Sequence, residues 1–153
     1  MSKKAHCAYC SKSFKYRSNK RYCSDKCRFK AWMEGKTEAN IPMCHYCGMP
    51  ADTIDHVPPR SARSTIIDLD VINWNFHEVN CCRECNTLAG AEPPWTLSGR
   101  KAMIKKKLRN RYKKYLAMPD WEDSELNRTG NTLRSHINEG LILKEAIKKR
   151  LRW

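Results

Sequence analysis

Apolar positions in the last third of the chain recur at helical spacing. Ile104, Leu108, Tyr112 and the Tyr115/Leu116 pair fall three or four residues apart, which predicts one amphipathic helix with its apolar stripe turned to a core or a partner. Ser98 is the expected N-cap and Pro119 the stop, with Arg100, Lys106, Arg109, Arg111 and Lys113 expected on the other faces. "DWEDSEL" predicts a short second helix and Gly130 a break. From Thr132 a third helix rich in Leu, Ile and Lys should run to Trp153, with Gly140 as a weak point. The pattern changes upstream. In "DTIDH" the β-favouring Thr53 and Ile54 predict a short strand that must stop at Val57-Pro58-Pro59, because proline cannot donate to a ladder. On a regular strand Asp55 and His56 point to opposite faces. Ser24 reads as the N-cap of a helix continuing through "RFKAW", and "AEPPWTL" as a proline-stiffened linker whose Trp95 packs on the module before it.

A chain of 153 residues is too short to bury a large core, so a staple is expected. Eight of the nine cysteines form four short pairs. Cys7/Cys10 and Cys23/Cys27 bracket a lysine- and arginine-rich loop; Cys44/Cys47 and Cys82/Cys85 bracket a much longer one. A thiolate pair two or three residues apart can bite one metal ion from a tight turn, and two such turns complete the closed tetrahedral coordination of structural zinc. Pairing within each half predicts one zinc on Cys7, Cys10, Cys23 and Cys27 and a second on Cys44, Cys47, Cys82 and Cys85. Cys27 would ligate from the first turn of its helix, and Gly48 fits a turn that wants positive φ. Cys81 is left as a small packing residue. His6 and His45 adjoin knuckle cysteines, yet four sulfurs already complete each site. With no charged-then-apolar leader and no long apolar run, nothing signals secretion or membrane spanning. A reducing cytoplasm is expected, where such pairs bind zinc more readily than they form disulfides.

Net charge is +14, unevenly distributed. Residues 1–40 carry 11 Lys/Arg against 3 Asp/Glu, residues 41–97 carry 3 against 7, and residues 98–153 carry 16 against 6. Two basic flanks around an acidic middle suit a polyanion, with one acidic spot kept for a cation. "KKKLRNRYKK" could track phosphates or merely solvate a helix. "KSFKYRSNKRY" interleaves Phe14, Tyr16 and Tyr22 with cations, as either a nucleic-acid contact or a solvated zinc loop.

The stretches "CHYCGMPADTIDHVPP" and "HEVNCCRECNTLAG" resemble the HNH endonucleases, nucleases of the ββα-metal fold. The shared layout is a zinc knuckle, an Asp-His pair, a variable stretch, and a second knuckle followed at once by His or Asn, over roughly residues 44–90. With an N-terminal finger and a basic helical tail, the chain looks like small nucleases encoded by bacteriophages. The resemblance implies that Asp55 and Asn86 hold a catalytic divalent cation, most simply Mg²⁺ with Mn²⁺ as the variant, and that His56 is the general base. The middle Asn of the family pattern falls on His77 here, with Asn75 and Asn80 off register. His77 either orients His56 or is a surface histidine. His136 is expected to be structural or exposed.

The expected architecture is therefore α+β: a four-cysteine zinc finger (1–40), a ββα-metal nuclease module (41–97) and a basic helical tail (98–153). The expected function is metal-dependent cleavage of DNA phosphodiesters, with two structural zinc ions and one catalytic divalent cation. DNA is the expected partner, with no membrane, and the C-terminal helices could also carry other proteins. The rival from another class is a zinc-dependent nucleic-acid-binding protein without catalysis.

Overall fold

The computed structural model describes residues 4–15, 20–37, 41–62 and 76–153, so Tyr16 and Asn75 lie outside the described residues. Strands β1 (Lys4–His6) and β2 (Ser13–Lys15) form an antiparallel hairpin, and helix α1 (Asp25–Met33) follows. Strand β3 (Thr53–Val57) pairs antiparallel with β4 (His77–Cys81), Asp55 opposite Val79 and His56 opposite Glu78. Then come α2 (Arg83–Ala89), α3 (Leu97–Arg111), α4 (Lys113–Leu116), α5 (Asp123–Leu126) and α6 (Asn131–Arg152). Among the described residues the chain is thus a small mixed α+β structure in which two short sheets are outweighed by helices.

Local chemistry accounts for the boundaries. Ser24 caps α1, its Oγ accepting from Cys27 N at 3.3 Å, as the sequence predicts. Strand β3 ends at Val57 against Pro58. The expected cap Ser98 is displaced: Thr96 caps α3, its Oγ1 accepting from Gly99 N at 3.3 Å, and Ser98 lies inside the first turn. Gly130 is the N-cap of α6. Gly140 does not break that helix. It is buried, and an added Cβ would stand 2.6 Å from Met118 Sδ, so glycine is there for close packing.

One buried cluster joins all three stretches of the chain. It takes Trp32 from α1, the four sulfurs of the second cysteine group, Ile104 and Leu108 from α3, and Ala146 from α6. Full burial of Ile104 and Leu108 stabilises by about 1.5–3 kcal/mol each. Glu84 on α2 ties the helices together at this core. Its carboxylate accepts from Tyr112 Oη at 2.7 Å, Arg111 at 3.1 Å and the buried Arg150 at 2.7 Å, bringing α3 and α6 onto α2. Burial raises the Glu84 carboxyl, but Arg150 and the other donors outweigh it and hold it below the ordinary glutamate value. No helix among the described residues is long and apolar enough to cross a membrane.

Candidate functional site

Both cysteine groups assemble as the spacing predicts. The sulfurs of Cys7, Cys10, Cys23 and Cys27 lie within 4.8 Å of one another, as do those of Cys44, Cys47, Cys82 and Cys85. Tetrahedral zinc with Zn–S near 2.3 Å requires sulfurs roughly 3.8 Å apart. The observed Cys10–Cys23, Cys23–Cys27 and Cys47–Cys82 separations are 3.6, 3.5 and 3.7 Å, so both groups fit structural zinc.

The two knuckles share one local device. Ser11 N donates to Cys7 O and Gly48 N to Cys44 O, each at 2.9 Å, and each residue after the second cysteine has positive φ, 57° and 66°. At Gly48 glycine is needed twice over, because the Trp153 ring stands 2.5 Å from where a Cβ would sit. Burial raises the Cys7 thiol, yet backbone N–H groups of Cys10, Cys23 and Tyr9 outweigh it and bring the thiol down to about 6, toward the thiolate a metal wants. Cys81 is buried outside the second group, its thiol donating to Cys82 O at 3.3 Å. His6 and His45 belong to neither group.

The second cysteine group clasps the β3–β4 hairpin to α2. Cys82 is the N-cap of α2 and Cys85 sits in its first turn. The Cys44 knuckle is stitched to β4 by His45 N donating to Asn80 O at 2.8 Å. Asp52 Oδ1 accepts from Arg83 N at 2.8 Å, fixing the start of α2 beside the start of β3. These constraints lay Asn86 against β3. Its Nδ2 donates to Thr53 Oγ1 at 3.3 Å and to Ile54 O at 3.4 Å, while its Oδ1 has no protein partner among the described residues.

Alternation along β3 separates its two candidate residues. Thr53, Asp55 and Val57 face α2 and the interior; Ile54 and His56 face the other way. His56 is largely buried, its Nε2 lying 3.1 Å from Oε1 of its cross-strand partner Glu78 without hydrogen-bond alignment. His77 is exposed opposite Val57, and His136 is exposed on α6. Neither the Asp55/His56 pair nor His77 joins a cluster of three potential ligands among the described residues.

Asp55 has partners that the motif does not announce. Its Oδ2 accepts from Tyr46 Oη at 2.6 Å and Arg100 Nε at 2.8 Å, and its Oδ1 from Arg100 Nη2 at 3.0 Å. Arg100 is 1% exposed and also donates to Gly90 O at 2.6 Å, which caps the end of α2. Burial and the bond to Asp55 push the Tyr46 phenol well above its ordinary value, so it stays a neutral donor. A carboxylate offers about four lone-pair directions. The three donors leave one free, on Oδ1.

Comparison with known proteins gives no match. No family model, no curated protein and no solved structure is similar to this chain.

Arg100, which helical spacing assigns to a charged face of α3, lies instead one helical turn before Ile104 and Leu108, on the buried stripe itself. Extending the stripe back by four residues reaches it, and a charge at a core position signals a buried partner. Glu78, by contrast, could be found only through the strand register. Arg100→Ala strands the Asp55 carboxylate in the interior and is expected to cost about 3–5 kcal/mol, read by urea unfolding of the zinc-loaded chain. A loss below about 1 kcal/mol would mean that the pair does not form.

Proposed function

We propose that this protein is a metal-dependent endonuclease that hydrolyses DNA phosphodiesters. One observation supports the reading: the cysteine-clasped helix α2 lays Asn86 against β3, its Nδ2 3.4 Å from Ile54 O, so that it stands next to the strand positions of Asp55 and His56. His56 takes the proton from the attacking water, with Glu78, 3.1 Å from the ring across the hairpin, countering the imidazolium that results. Asn86 Oδ1 and the remaining lone pair of Asp55 Oδ1 would hold a divalent cation, which supplies charge stabilisation for the phosphate and the leaving oxygen. Arg100 and Tyr46 fix the Asp55 carboxylate so that it does not collapse onto solvent or rotate away.

The rival reading is a zinc-stapled binder, favoured by the Asp55–Arg100 pair, which satisfies the carboxylate without any metal. Supercoiled plasmid incubated with the zinc-loaded chain, with and without added Mg²⁺, separates the two. Nicked or linear product only with Mg²⁺ supports the nuclease. Retardation of intact plasmid under both conditions supports the binder.

DNA would be gripped through its backbone. Lys106 and Arg109 are exposed three residues apart on one face of α3, and Lys113 is exposed at the start of α4. Lys107 is not available, because it donates to Leu88 O and pairs with Glu92. Each phosphate contact contributes about 0.9 to the slope of log affinity against log salt on duplex DNA. Lys106→Ala/Arg109→Ala/Lys113→Ala should therefore flatten the slope and weaken all sequences alike. An unchanged slope in a salt titration would place DNA elsewhere.

A further inference from the structure

The hairpin chemistry leaves unused a cavity of about 350 Å³ between the first cysteine module and the approach to β3. One side is apolar, made by Tyr22, Ile41, Pro50 and Ala51, with Tyr22 and Ile41 themselves buried. The rest is strongly basic. Arg28 lies deep in it, bonded to Asp52 at 2.6 Å and Asp25 at 3.2 Å, so the two carboxylates of the lining are already drawn onto one guanidinium. That leaves Lys20, Arg21 and Arg83 as an exposed cationic rim, Arg83 making only a long 3.8 Å contact to Asp52.

An apolar wall facing a cationic rim is the chemistry of a nucleotide: base on one side, phosphate on the other. The volume is at the small end of ligand sites and suits one nucleotide rather than a duplex. Position adds to this. Asp52 lines the cavity and His56 follows four residues later along β3, about 13 Å at strand rise. We propose that the cavity is a subsite for one unpaired nucleotide of the nucleic acid, its base against Tyr22, Ile41 and Pro50 and its phosphate on Lys20, Arg21 and Arg83. The inference rests on the nucleic-acid reading above and gives the N-terminal cysteine module a purpose, since that module closes the cavity and selects unpaired strand over uninterrupted duplex.

Binding of the zinc-loaded full chain, with no Mg²⁺ added, to a fluorescent oligo-dT 12-mer and to a 12-base-pair duplex tests this by anisotropy. Ala51→Leu fills the cavity without changing charge, and Lys20→Ala/Arg83→Ala removes the rim. Lys106→Ala/Lys113→Ala, which removes the same charge elsewhere, is the control. Both cavity variants should lose about tenfold or more on oligo-dT, as expected for one base contact, with unchanged zinc content. On duplex, Ala51→Leu should bind like the unmodified chain and Lys20→Ala/Arg83→Ala no worse than the control pair. Competition by thymidine monophosphate would support a subsite that accepts a free nucleotide. Failure of that competition, with the Ala51→Leu loss intact, would support one that needs the strand. Oligo-dT affinity unmoved by Ala51→Leu, or reduced by Lys20→Ala/Arg83→Ala no more than by the control, would overturn the proposal. Because cleavage is not read, a chain that never cuts plasmid can still pass, which separates this site from the nuclease reading.

Discussion

Cys85→Ser is expected to unfold the β3–β4–α2 unit and to cut bound zinc from two ions per chain to one. Structural zinc supplies about 10–16 kcal/mol of apparent binding energy, which in a small domain is folding energy. Whole-domain stability is only about 5–15 kcal/mol, so nothing else in the chain can replace it. The loss should spread. Cys85 Sγ is the contact of the buried Arg150 Nη2 at 3.9 Å, and the same core holds α3 and α6. Circular dichroism and elemental zinc analysis read the result, with Cys81→Ser as a control that keeps both ions because Cys81 stands outside the group. A folded Cys85→Ser variant that retains two zinc ions would rule out the pairing.

His56→Ala is expected to lower plasmid cleavage by about 10²–10⁴-fold, the range for losing a positioned general base. Zinc content and DNA affinity should hold, since the imidazole touches neither cysteine group and carries no exposed positive patch. Glu78→Gln should reduce cleavage less, because it removes only the group that faces the ring. Asn86→Ala should instead raise the Mg²⁺ concentration needed for half-maximal cleavage. Cleavage by His56→Ala at the unmodified rate would remove His56 from the chemistry, whatever happens at the metal.

The two cysteine groups are readable because their constraint is local: a two- or three-residue spacing fixes which sulfurs share a turn before any tertiary contact forms. The same holds for the Ser24 cap and for the end of β3 at Pro58. The cap of α3 lies two residues before the expected one, since Thr96 and Ser98 offer equally good capping oxygens and only the path out of "AEPPW" chooses between them. Gly140 is deceptive for a related reason. Helix propensity penalises it, but packing against Met118 requires it, and packing wins in a buried helix.

Local pattern alone picks out the eight paired thiols and the sign of the charge on each flank, and the resemblance to the HNH endonucleases points to Asp55, His56 and Asn86 as the proposed site. Their surroundings are set in three dimensions. Arg100 lies 45 residues from Asp55 and reaches it because α3 turns its buried stripe onto the cysteine-clasped hairpin. Glu78 meets His56 through strand register, and the basic cavity exists only where the N-terminal module meets the approach to β3. A motif fixes side-chain type and short-range spacing. Which distant groups neutralise, orient or leave free a given side chain depends on how amphipathic faces dock, and no local pattern encodes that.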